Sequence, residues 1–211
     1  MSEDRQAFLL SDSAMQAASY STYKNFQQPT KVGFSELKAW KQRIVGVQTQ
    51  LTAIEQQKSL FDESSGDRSD KSSCSKTLGN LLNTIHPFEL RKQNTDFWRW
   101  QFDDVGVAAL YFVIDYAHTA HSHPVVLYIG ETVKSNQRWK GEHDCKRYLL
   151  NYRQAHYDNG LSSELGIAFW PEAPSDRQAR LQLESALIRH WRSPFNKENW
   201  RFWNTPFVET L

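Results

Sequence analysis

Two tyrosines, an arginine, a histidine, a glutamate and an asparagine lie along the second half of this chain, each where it could do chemistry. Tyr111 belongs to the run Val107 to Ile114 and Tyr128 to the run Leu127 to Thr132. Both runs are rich in β-branched and aromatic residues, which suits half-buried strands. The polar stretch Ala117 to Pro124 between them predicts a hairpin connection. A loop centred near residue 120 puts Tyr111 opposite Tyr128 or its neighbour, with Cβ atoms about 5 Å apart on one face. A phenol titrates near about 10, so neither tyrosine is a base at neutral pH unless a nearby cation lowers its pKa. The plainer reading is a cross-strand packing pair.

Glu184 is the most informative single residue. On a wheel of ~100° per residue, Leu181, Leu183, Leu187, Ile188 and Trp191 form one arc with Glu184 at its middle. A carboxylate on a core-facing stripe is costly unless it is paired or binds a cation. A salt bridge, to Arg138 for example, or a helix end angled toward solvent accounts for it equally well. Arg138 stands near the start of a helix expected over Ser135 to Leu150. Its planar guanidinium matches phosphate oxygens, although a lone arginine is most often a surface ion pair. His143 on the same helix titrates near neutral pH and could share a proton transfer, or be structural. Asn196, after Ser193-Pro194-Phe195, could hold a turn or hold site groups in place.

Taken in order, Ala109-Leu110-Tyr111, Tyr128-Ile129-Gly130, Arg138, Glu184 and Asn196 resemble the pattern of the GIY-YIG nuclease superfamily. The resemblance covers roughly residues 105–205. Alanine stands where the first motif usually has glycine, and His143 follows Arg138 by five residues rather than the usual four. The resemblance implies metal-dependent hydrolysis of a DNA phosphodiester by an activated water. Glu184 would hold Mg²⁺ (or Mn²⁺), an ion that keeps most of its hydration shell. Arg138 would steady the charge growing on phosphate. Tyr111 would help to activate the water, Tyr128 would orient it or the phosphate, and His143 and Asn196 would support them.

The elements that must carry these residues are α+β: a small, largely antiparallel three-stranded sheet flanked by helices, with a helical amino-terminal extension. The third strand is Leu165 to Trp170, and the last long helix starts at a capping box of Ser175 and Gln178 and stops before Pro194. Leu37, Trp40, Ile44, Val47, Leu51 and Ile54 form an apolar stripe on an earlier helix, capped by Ser35. That helix either docks on its own chain or self-associates. Residues 59–76 read as a Ser/Asp-rich linker and a short helix follows over Thr77 to Ile85. The expected division is therefore 1–76, tail, helix and linker, and 77–211, the nuclease-like domain.

Composition limits the alternatives. With 25 basic and 24 acidic residues the chain has no global pull on nucleic acid. Basic residues do crowd Lys134 to Arg153 and the segment carrying Arg177, Arg180, Arg189, Arg192, Lys197 and Arg201. Two cysteines, Cys74 and Cys145, exclude a disulfide scaffold and fit a reducing compartment. No run approaches the ~20 apolar residues of a membrane span, so a soluble, cytoplasmic protein is expected. The aromatic cluster Phe97 to Phe102 could stack on bases but more commonly packs a core. His118, His121 and His123 could bind zinc, yet no fourth ligand stands at matching spacing. DNA is the expected partner and a membrane is not. A palindromic target would call for a homodimer, for which the 33–60 helix offers a surface. The competing readings are a noncatalytic nucleic-acid-binding module of the same fold and an interaction protein acting through that helix.

Overall fold

The computed structural model describes residues 31–62, 81–82, 84–94, 107–117, 123–133 and 144–207, with side chains throughout except at 53–62. In order the elements are α1 Phe34–Asp62, β1 Lys92–Asn94, β2 Ala109–Asp115, β3 Val125–Thr132, α2 Asp144–Asp158, β4 Leu165–Trp170, α3 Arg177–Trp191, a 3₁₀ turn Lys197–Asn199 and α4 Trp200–Trp203. The class is α+β, and the sheet is antiparallel throughout in the order β1-β4-β2-β3. It has four strands where three were expected. The addition is β1, whose Lys92, Gln93 and Asn94 pair with Ala168, Ile167 and Gly166 of β4. Three polar residues carry no strand signal, and a lysine is what an exposed sheet edge tolerates. Among the described residues no helix is long and apolar enough to cross a membrane.

Helices cover both faces of the sheet. β2 is therefore buried at all seven positions, not half-buried as the sequence suggested. Leu110, Phe112 and Ile114 meet Leu183, Leu187 and Trp191 of α3 on one face. On the other, Tyr111 and Val113 meet Leu37, Trp40 and Ile44 of α1, Tyr148 and Tyr152 of α2, and Phe195. Each such side chain contributes roughly 1.5–3 kcal/mol on burial. The apolar stripe of α1 thus docks on its own chain, at least from Leu37 to the buried Gln48. The helix begins two residues earlier than a Ser35 cap would place it, because Gly33 O already accepts from Leu37 N at 2.9 Å. It continues through the first part of the expected linker to Asp62; residues 63–76 lie outside the described residues. Of the short helix at 77–85, residues 81, 82 and 84 are helical. The described residues belong to one compact unit, Lys31–Leu211.

The hairpin register departs from the expected one by way of a bulge. Next to the loop, Asp115 pairs with Val125 and Ile114 with Val126. Leu127 is then passed over, so Val113 faces Tyr128 and Tyr111 faces Gly130. Tyr128 is consequently the diagonal rather than the direct neighbour of Tyr111, on the same face.

α3 is capped by Asp176 rather than by Ser175 with Gln178. The Asp176 carboxylate accepts from Ala179 N at 2.7 Å, a charged acceptor at the positive end of the helix dipole. The helix ends at Trp191 with Arg192 in the left-handed region, φ 47°. α2 runs to Asp158, beyond the expected Leu150.

Candidate active site

The two tyrosine rings lie 6.0 Å apart at their centroids, within the reach of a diagonal aromatic pair. Tyr111 is fully buried between Tyr128 and Phe169, while Tyr128 is only partly buried. Gly130 is required by this packing. A Cβ at that position would overlap Tyr111 Cζ and Oη and stand 2.7 Å from Cε1. The glycine of Tyr128-Ile129-Gly130 is thus the seat of the Tyr111 ring.

β3 is an outer strand, yet its free edge is closed by side chains from three other segments. Asn196 Oδ1 accepts from Ile129 N at 3.0 Å and its Nδ2 donates to Ile129 O at 2.8 Å, as a neighbouring strand would. Ser193 Oγ donates to the same Oδ1 at 2.6 Å and fixes the amide. Phe195 N donates to Leu127 O at 2.9 Å. Nearer the loop, Gln48 of α1 repeats the device: Oε1 accepts from Val126 N at 2.8 Å, and Nε2 donates to Val126 O at 3.0 Å and Trp191 O at 2.9 Å. These contacts satisfy backbone groups that would otherwise be buried without partners or template another strand.

Glu184 extends the same edge. Leu183, Leu187, Ile188 and Trp191 are buried as the wheel implies, and the carboxylate among them is half-buried. Its Oε1 accepts from Glu131 N at 3.0 Å. The side chain of Glu131 turns to the α3 face, opposite the tyrosines, where Arg180 Nε donates to Oε2 at 2.8 Å. Arg180 Nη1 also donates to Pro174 O at 2.8 Å and Ser175 O at 3.2 Å. Arg180, one of the basic residues that crowd this segment, is 1% exposed. Neither Glu131 nor Arg180 was singled out by sequence; their only signal was the i, i+4 spacing of Arg180 from Glu184.

Tyr111, Tyr128, Glu184 and Asn196 therefore all bear on the four-residue stretch Tyr128 to Glu131. Arg138 and His143 lie outside the described residues, as do His118, His121 and residues 95–102 of the aromatic cluster; His123 is exposed. Among the described residues no group of three or more His, Cys, Asp or Glu side chains is placed to hold a metal ion.

A second buried polar node ties α1 and α2 to the end of β2. Asp115 Oδ2 accepts from Lys41 Nζ at 2.7 Å and Tyr152 Oη at 2.6 Å, and Oδ1 from Ala117 N at 2.9 Å and Glu164 N at 2.8 Å. Burial by itself pushes the Asp115 carboxyl up, but Lys41 and the remaining donors outweigh it and hold the pKa below its usual value. Burial, reinforced by Asp115, pushes the Tyr152 phenol well up. His156, whose Nδ1 donates to Tyr152 O at 2.8 Å, is lowered by burial. Comparison with family models, with curated proteins and with solved structures finds no match.

Proposed function

We propose that this chain is a divalent-metal-dependent endonuclease of the GIY-YIG type, hydrolysing DNA phosphodiesters in a restriction or repair role. The observation that supports this reading is the convergence of Tyr111, Tyr128, Glu184 and Asn196 on residues 128–131. These residues come from two strands, one helix and the segment after that helix, separated by as much as 85 positions in sequence.

The donor set fits a hydrated Mg²⁺. Glu184 is a half-buried carboxylate with one oxygen oriented by a backbone N–H, and Mg²⁺ takes one or two carboxylates and keeps several waters. When bound, the ion supplies charge neutralisation at the phosphate and acidifies its own water. Of the two phenols, Tyr128 is the one with access to solvent, so it orients the attacking water. The fully buried Tyr111 holds Tyr128 and Gly130 in place. Asn196 fixes the backbone between them. Arg138 steadies the phosphate and His143 shares the proton transfer. A palindromic target requires two copies; the stripe of α1 is committed to the chain's own core up to Gln48, so a contact through α1 would use its distal half.

The test is cleavage of supercoiled plasmid and of a branched DNA, with Mg²⁺ or with EDTA, by wild type beside Glu184→Ala. Metal-dependent cutting by wild type alone is expected. Folded wild type that binds both DNAs and cuts neither would instead favour a noncatalytic binding module.

A further inference from the structure

Two carboxylates approach the same strand end. Glu184 reaches the backbone N–H of Glu131, and the side chain of Glu131 itself lies on the α3 face, paired with Arg180 of the same helix. What separates their roles is Arg180, one turn before Glu184 on α3. Its guanidinium is anchored by two carbonyls of the segment leading into the helix and donates through Nε to Glu131 Oε2. The arginine side chain is 1% exposed and the glutamate 15%, so the pair is held by fixed partners rather than by a mobile surface contact. A guanidinium cannot lose its charge under these conditions.

We infer that Arg180 is a positioning residue that holds the Glu131 carboxylate out of the cation site, leaving Glu184 as its sole protein carboxylate. The inference rests on the cation reading of Glu184. A second free carboxylate would bind the ion more tightly and displace its water, which Mg²⁺ chemistry needs.

The test is direct Mn²⁺ binding to the full chain, followed by the electron paramagnetic resonance of free Mn²⁺, with thermal unfolding as a check on folding. Arg180→Leu releases a negative charge near a doubly charged ion and should tighten Mn²⁺ binding roughly tenfold. The double variant Arg180→Leu with Glu131→Leu replaces the ion pair by an apolar pair, a change that folds usually accept, and should bind as wild type does. An unchanged or weaker affinity in Arg180→Leu overturns the inference while leaving Glu184 as a ligand. Should that variant not fold, Arg180→Gln replaces it, with tightened Mn²⁺ binding again expected and unchanged affinity again overturning the inference; a loss of about fivefold or more in the double variant overturns it by making Glu131 a ligand. Wild type that binds no Mn²⁺ removes the cation reading and this inference together. A purely structural ion pair would alter the melting temperature and leave the affinity where it was.

Discussion

Asp115→Asn separates two halves of one buried carboxylate. Oδ1 takes the backbone donors Ala117 N and Glu164 N, and Oδ2 takes Lys41 and Tyr152. An asparagine oxygen at Oδ1 keeps the first pair. The amide nitrogen then faces the Lys41 ammonium, which has no acceptor to offer, and the Tyr152 phenol, which must turn its O–H away to accept from the amide. Leaving a buried donor unsatisfied costs about 1–3 kcal/mol. Tyr152 is fully buried while the Lys41 side chain is 14% exposed and regains some water, so the total should be roughly 2–3 kcal/mol. Deleting the whole group in Asp115→Ala should cost about 3–5 kcal/mol, as breaking a buried ion pair does. At about 2–4 °C per kcal/mol for a chain of this size, Asp115→Asn should melt roughly 4–12 °C below wild type. Lys41→Met in the Asn background removes one of the clashing donors and should recover part of the loss. Because the folded pKa of Asp115 lies below its ordinary 3.8, this contribution is present above that value. It is lost as pH falls through the folded pKa. Urea unfolding of the three variants at pH 7 and pH 3 measures all of this. Equal stability of Asp115→Asn and wild type at pH 7, or a penalty unmoved by Lys41→Met, would refute the assignment of donors to the two oxygens.

His156 should add a second acid-sensitive step. Its folded pKa lies below the ordinary 6.5, so its neutral form contributes stability above that value, lost as pH falls below it; His156→Gln should flatten the urea midpoint between pH 7.5 and 5.5. Gly130→Ala drives a Cβ into the buried Tyr111 ring, and should cost about 1–3 kcal/mol in thermal unfolding and lower DNA cleavage more than that loss explains. Gln48→Leu strips partners from both backbone groups of Val126 and from Trp191 O. Urea unfolding should show a loss of roughly 3 kcal/mol, although the residue lies far in sequence from the strand it holds.

Much of the sheet was legible because β2, β3 and β4 are continuous β-branched and aromatic runs, and α3 because its apolar arc keeps helical period. β1 was not, since its three polar residues are a strand only by virtue of Ala168, Ile167 and Gly166 beside them. The register was one residue off at the tyrosines because a bulge at Leu127 depends on Gln48 and Phe195 reaching the strand edge from distant segments. Glu184 stood out as a carboxylate among apolar neighbours. Its partner did not, because a backbone N–H has no signature in sequence. Asn196, read as holding a turn or site groups, bonds both backbone groups of Ile129 on the free edge of β3. Arg180 and Gln48 were hidden for a shared reason: long polar side chains look like surface until a buried backbone or carboxylate claims them.

Glu184→Gln is the most direct test of catalysis, because the amide keeps the shape and an oxygen to accept from Glu131 N while removing the charge a cation needs. DNA binding by fluorescence anisotropy and cleavage under single turnover should be followed on the same preparation, with Mg²⁺ present. Binding within about threefold of wild type together with cutting reduced by 10²-fold or more is expected of a group that acts through the transition state. Cleavage at the wild-type rate, or loss of binding and folding together, would contradict it and leave Glu184 as a cap on the edge of β3.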